Sequence, residues 1–465
     1  MEKNSILKKF NDKMNYQRVR LHGAVLMSGK KVIEELYNPP YTADTITRMY
    51  STSKSVMAVA IGRLIGENKL SLDDKVVDIF ANRFDMSSVH PYLKEQTVRD
   101  MLKMTTVYSK PTYNASTKNW LESYFTAQPT HPARTVWNYD SCGSYVLGAI
   151  VKEKTGLDFV EYLRPVFDEI GVSKGVYSMK GPDGEAWVSS AFMATTADLA
   201  KIAYLLLEKG KWNGKQLIPK DYAIDATSPL DRNDDGALNT RFNCGYGYQV
   251  WSHPDGAFAF RGLGGQVAIA FPGRDLVFAC TSDTAGNRTT YDDIFNAVED
   301  IILPNFPIID KEEYERAKPK PVTENVFDKI KNKNFILQDN PMKLQSVRFE
   351  QSGDTCKLFY KRENKELSID FSTEKEVQII FPQKYSGEVL FNPEYDENYK
   401  CSVYAEWLTN KKLFIKVWAE DLFVGNMTMC FAFREDGKIG VKMQKNAQFF
   451  FDDFNGFAGG EIENN

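Results

Sequence analysis

The chain has 465 residues, more than a single core normally fills, so two domains are expected. Its apolar share of 43% and charged share of 26% are those of an ordinary globular protein, and a net charge of −4 shows no basic excess that would argue for nucleic acid or an anionic membrane. No apolar run approaches the ~20 residues that span a bilayer.

Six cysteines are scattered, with no Cys-x-x-Cys pair and no histidine at ligand spacing, which argues for free thiols, no metal site and no cofactor. The opening Met1-Glu-Lys-Asn-Ser-Ile-Leu-Lys-Lys-Phe10 lacks the apolar core and cleavage site of a signal peptide. A cytoplasmic protein is therefore expected, or an exported one if a leader has been removed.

His22 to Leu36 reads as strand, turn, strand, with Ser28-Gly29-Lys30 as the hairpin turn. Ser55 to Ile65 is apolar almost all round, the pattern of a helix sunk in a large core, and Gly66-Glu67-Asn68 closes it. Thr97-Val-Arg-Asp100 is a near capping box ahead of a short helix. Ser144 to Lys154 has helical spacing and ends at Gly156, and Thr195-Thr196-Ala197-Asp198 opens another helix, from Leu199 to Lys209. Strands follow at 246–251, 256–260, 266–271 and 275–281, parted by Pro254-Asp255, Gly262 to Gly265 and Pro272-Gly273-Arg274. Strands at both ends with helices between them make this part α+β, an antiparallel sheet flanked by helices.

Residues 311–322 are charged, carry Pro319 and Pro321, and read as a linker. Beyond it the periodicity is almost purely two, as in Lys412-Leu-Phe-Ile-Lys-Val-Trp418, with a turn at Glu435-Asp436-Gly437. The expected organisation is a domain over 1–310, the linker 311–322, and an all-β domain over 323–465, barrel- or sandwich-like. Trp407, Trp418 and Phe449-Phe450-Phe451 are expected in its core.

Chemistry points to Ser51-Thr52-Ser53-Lys54. Positions i and i+3 share a helix face, so Lys54 is aimed at the Ser51 hydroxyl. A lysine removed from water loses proton affinity and becomes able to take the serine proton near neutral pH. Trp137-Asn138-Tyr139-Asp140-Ser141 offers a second proton handler in Tyr139, whose ionisation a neighbouring ammonium would ease. Phe260-Arg261-Gly262-Leu263-Gly264-Gly265-Gln266 offers a glycine-rich strand end where a ligand can approach the backbone. A Ser-His-Asp arrangement finds little support: His90, His131 and His253 each precede proline, His22 begins a strand, and no Gly-x-Ser-x-Gly occurs.

In this order, Ser51-x-x-Lys54, Tyr139-x-Ser141 and the 260–266 strand resemble the serine β-lactamase and penicillin-binding-protein superfamily, over roughly residues 20–305. Flanking text such as Gly66-Glu-Asn-Lys-Leu-Ser-Leu-Asp-Asp74 and Thr97-Val-Arg-Asp-Met-Leu-Lys-Met-Thr105 resembles the branch related to class C β-lactamases, which includes esterases and peptidases. The resemblance implies a β-lactamase-like fold and an acyl-enzyme on Ser51, with Lys54 and Tyr139 sharing the base role. It places the oxyanion between the amides of Ser51 and Leu263, with Ser141, Arg261 and Gly262 around the substrate. The chain departs from the family where Phe260-Arg261-Gly262 stands in place of Lys-Thr-Gly or His-x-Gly, and where Ser141 replaces the usual asparagine.

The expected activity is hydrolysis of small esters or amides, peptide-like ones included. Two alternatives stay open: a penicillin-interacting carboxypeptidase or β-lactamase, and a binding or sensing protein that has lost turnover. Partners are then small molecules, and nothing in the sequence sets an oligomeric state.

Overall fold

In the computed structural model, which describes residues 5–232, 242, 244–284, 290–317, 321–385, 398–421 and 423–463, strands from both ends of the first unit meet in one sheet. Its members are β1 (Arg20–Ser28), β2 (Lys31–Tyr37), β3 (Gly245–Tyr246), β4 (Trp251–Ser252), β5 (Phe258–Gly262), β6 (Gln266–Phe271) and β7 (Leu276–Asp283). They lie in the order β2-β1-β7-β6-β5-β4-β3, every pair antiparallel.

Among the described residues, α1 (Ile6–Tyr16), α2 (Thr52–Gly66), α4 (Thr196–Leu207) and α5 (Thr290–Ala297) pack on the sheet, and α3 (Ser141–Thr155) packs on α2. Period-two alternation decides which face each strand residue serves. Phe258, Phe260, Ala268 and Ala270 join the core shared with α2, α3 and α4. Ala259, Val267 and Ile269 join a second core with Leu7, Phe10 and Met14 of α1 and Phe295 of α5. With both faces covered, β6 is apolar at nearly every position. The β-lactamase-like sandwich of helices on an antiparallel sheet is thus present.

The helix expected from Ser144 begins earlier, because the Asp140 carboxylate accepts the Gly143 amide at 2.9 Å and caps the first turn. Capping boxes at Thr97/Asp100 and Thr195/Asp198 are both formed. Residues Lys311–Ala317 form a helix, and Glu313 on it pairs with Lys209, just past α4, at 2.6 Å.

The second unit is a nearly closed barrel. Its strands are β8 (Asn334–Leu337), β9 (Leu344–Ser352), β10 (Thr355–Arg362), β11 (Lys365–Phe371), β12 (Val377–Lys384), β13 (Asn398–Thr409), β14 (Lys412–Glu420), β15 (Val424–Phe433), β16 (Lys438–Asn446) and β17 (Gly456–Ile462). The order is β11-β10-β9-β8-β17-β16-β15-β14-β13-β12. The two end strands approach each other, and the Ser372 carbonyl after β11 accepts the Ala405 amide of β13 at 3.1 Å. Phe335, Phe349, Phe381, Tyr399, Phe450 and Phe451 fill the interior, while Trp407 packs at its margin. Among the described residues no helix is long and apolar enough to cross a membrane.

Candidate active site

Ser51 is the N-cap of α2, yet its side chain makes no capping hydrogen bond. Its Oγ instead accepts from Lys54 Nζ at 3.1 Å. Tyr50, just before it, sits at φ 46°, a left-handed conformation that costs a tyrosine energy and is found where surroundings hold it. Those surroundings are on hand: the Tyr50 carbonyl accepts the Ser53 hydroxyl at 2.5 Å, and the Arg48 guanidinium lies 4.6 Å over its ring.

Lys54 is 1% exposed. Its ammonium donates to the Ser189 carbonyl at 2.5 Å as well as to Ser51, and burial lowers its pKa to about 7 against a partial pull upward from Asp140. Burial also raises the pKa of Asp140 itself, although the Thr106 hydroxyl donates to it at 2.9 Å. Neither Ser189 nor Asp140 was singled out for this role by sequence reasoning. Asp140 carries a local signal, an acid directly ahead of a helix, whereas a carbonyl ligand such as that of Ser189 leaves none.

Tyr139 lies close enough for the Ser51 hydroxyl to act on its phenol, and Lys54 Nζ lies 4.9 Å over its ring. The eased ionisation expected from sequence does not occur. Burial raises the phenol's pKa to about 12, outweighing the lowering influence of the Ser51 hydroxyl. The ring stacks on Trp251, and with Trp137, Tyr246 and Met104 these form a compact aromatic cluster. Ser141 is the first residue of α3, partly buried.

The end of β5 runs beside the start of α2. A Cβ on Gly262 would stand 2.5 Å from the Met49 carbonyl oxygen and 3.2 Å from the Ser51 amide nitrogen, so only glycine permits this approach. Among the described residues neither the Ser51 amide nor that of Leu263 has an acceptor in hydrogen-bond geometry. Both amides are thereby without an acceptor, at a helix start where the α2 dipole attracts negative charge. The Leu263 side chain is 69% exposed at the rim. Gly262→Ala is expected to push β5 off α2 and slow Ser51 acylation by about 10²-fold, the loss typical of one misplaced oxyanion donor. An acylation rate within twofold of the parent would contradict it.

Arg261 and Phe260 are not brought to this cleft in the way expected. Arg261 turns to the other face of the sheet, 4% exposed, donating to the Phe242 carbonyl at 2.6 Å and to His253 Nε2 at 2.5 Å. Its guanidinium lies over Trp251 and Phe295. Phe260 faces the α2 side but is fully buried in the core. No cation therefore stands on β5 beside Lys54. Among the described residues no group of three or more His, Cys, Asp or Glu side chains is arranged to hold a metal ion.

The sequence pattern of the beta-lactamase family matches residues 8–299. The chain belongs to the beta-lactamase family. Within curated relatives it is 22% identical over 249 residues to the 6-aminohexanoate-dimer hydrolase of Paenarthrobacter ureafaciens, covering 49% of this chain and 63% of that one. An uncharacterised protein of Alkalihalophilus pseudofirmus matches over 53% of its own length, so the chain spans less than two thirds of these relatives. Among solved structures, the octameric penicillin-binding protein homologue of Pyrococcus abyssi aligns over 99% of this beta-lactamase family member and 100% of its own length, at TM-score 0.51 and 16% identity. EstCE1, described as a hydrolase with promiscuous acyltransferase activity, aligns over 63% of this chain and 98% of its own, at TM-score 0.51 and 14% identity. The structural likenesses establish the fold, and the family rests on the match over residues 8–299.

Proposed function

We propose that this chain hydrolyses small esters or amides, peptide-like ones included, through an acyl group carried on Ser51. The observation that carries the reading is a lysine amine 3.1 Å from the Ser51 oxygen, in surroundings that bring its pKa to about 7. An amine so lowered is in part unprotonated near neutral pH and able to accept the hydroxyl proton. Ser51 Oγ attacks the substrate carbonyl carbon as its proton passes to Lys54, and the oxyanion is received by the Ser51 and Leu263 amides. Tyr139, kept as a phenol, relays the proton taken up by Lys54 to the leaving alcohol or amine, which departs as its bond to the carbonyl carbon breaks and leaves Lys54 neutral again. Water then attacks the acyl carbon as Lys54 takes its proton; the bond to Ser51 Oγ breaks, the acid leaves, and Lys54 returns the proton to Ser51.

The aminohexanoate-dimer hydrolase among the relatives and EstCE1 among the structural neighbours fit an amide- or ester-cleaving reading. With Phe260 buried in the core and Arg261 on the other face of the sheet, β5 offers no cation to a substrate carboxylate, which disfavours a substrate that needs one there, as a penicillin does. An alkyl fluorophosphonate tests the reading directly. Intact mass is expected to show one adduct, and peptide mapping to place it on Ser51. A folded protein that takes no adduct, or takes it elsewhere, overturns the proposal.

A further inference from the structure

The segment from Thr130 to Asp140 delivers Tyr139, and it is held from two sides. On the inner side, the amides of Thr130, Arg134 and Asn138 donate to the carbonyls of Val107, Thr105 and Met104 at 3.0, 3.0 and 2.9 Å. On the outer side stands the barrel. Arg434 donates to the Ala133 carbonyl at 3.2 Å, and Phe457 stacks on His131 at 5.2 Å. Val136 packs with Cys430 and Ala432. Two glycines of the barrel wall let the segment in: a Cβ on Gly440 would come within 2.2 Å of Thr135 Oγ1, and one on Gly459 within 2.9 Å of Pro132.

The contact nearest the chemistry is Lys442 of β16. It is 7% exposed, and its ammonium donates to the Trp137 carbonyl at 3.2 Å, two residues before Tyr139. The same ammonium lies over the rings of Trp137 and Phe457, at 5.8 and 5.6 Å. Trp137 in turn packs on Tyr139 and on Trp251, the ring that stacks with Tyr139. A buried cation makes one of the stronger hydrogen bonds to a carbonyl, so this one fixes a peptide plane and, through it, the direction of the phenol.

We infer that Lys442 is a positioning residue for Tyr139, so that the barrel forms one half of the mould in which the catalytic segment is set. The inference rests on the proposed role of Tyr139 in acyl transfer. Displacing a reacting group by about 1 Å can cost 10²-fold in rate, which sets the scale. A lysine that merely glued the two units together would alter stability and leave the Tyr139-dependent part of the rate alone.

A double-substitution cycle on the full-length protein separates these cases. The rate of Ser51 acylation by a nitrophenyl ester is measured for the parent, Lys442→Met, Tyr139→Phe and the pair. Lys442→Met is expected to slow acylation by about 10–100-fold, and Lys442→Arg, which keeps a donor for the carbonyl, to regain most of it. In the Tyr139→Phe background, Lys442→Met is expected to add less than a threefold loss. Lys416→Met, a lysine of β14 over Trp418, is expected to keep the parent rate.

An unchanged rate in Lys442→Met beside a crippled Tyr139→Phe overturns the positioning role alone. Equal losses from Lys442→Met in both backgrounds also overturn it, since its effect then bypasses Tyr139. A Tyr139→Phe protein at the parent rate overturns the catalytic reading itself, and the positioning role with it. Should Lys442→Met not fold, Phe457→Leu, which loosens the same contact, carries the cycle with the same expected pattern.

Discussion

Lys54→Met is expected to slow Ser51 acylation by about 10³-fold, within the range that a positioned general base contributes, while leaving Tm no lower than in the parent. The two halves of this expectation have one cause. A lysine brought from 10.5 to about 7 by burial has been made a base at the expense of its charged form. Its folded pKa lies below the unfolded one, so the unfolded chain holds the proton more tightly. Stability therefore falls as pH drops from about 10.5 to about 7 and loses nothing further below that. The penalty, on the order of 5 kcal/mol, disappears with the ammonium. Methionine fills a similar volume, and the loss is the hydrogen bond to the Ser189 carbonyl, about 1–3 kcal/mol if that oxygen stays unpaired. Thermal unfolding and ester turnover on the same preparation check both halves. A Lys54→Met protein within tenfold of the parent rate would remove Lys54 from the mechanism.

The second large effect is in pH. If the neutral amine is the acting form, kcat/KM rises about tenfold per unit below pH 7 and levels off above it. Between pH 5 and pH 8 the gain is roughly 100-fold. No alkaline decline is expected up to pH 10, because the Tyr139 phenol stays protonated until about 12. A profile that is flat, or that falls with rising pH, would mean that Lys54 acts as a cation and that another group takes the proton.

Much of the site was legible because its parts are local. Ser51 and Lys54 lie one helical turn apart, and the i, i+3 rule puts them together without knowledge of the fold. Gly262 was legible because only a missing side chain fits a strand end against a helix start. Arg261 was harder. Alternation correctly places it opposite Phe260, but β5 is covered on both faces, so the pattern of apolar residues could not say that the far side was a core rather than solvent. The direction of the Tyr139 pKa depends on the sum of packing around the ring, and a sequence states neighbours along the chain, not around it. The barrel's hold on residues 131–137 was hidden for the same reason: its glycines and Lys442 are separated from that segment by some 300 positions.

In both units the earliest strand of the sheet is completed by the latest. Arg20 pairs with Asp283 in one sheet, and Phe335 with Ile462 in the other. During synthesis, then, β1 and β8 must each wait, with an open edge, until their partners have left the ribosome. Such distant pairings slow folding and prolong the exposure of unpaired edges. A nascent chain halted just short of β17 would leave β8 bonded on one side only, and so would be a ready substrate for chaperones.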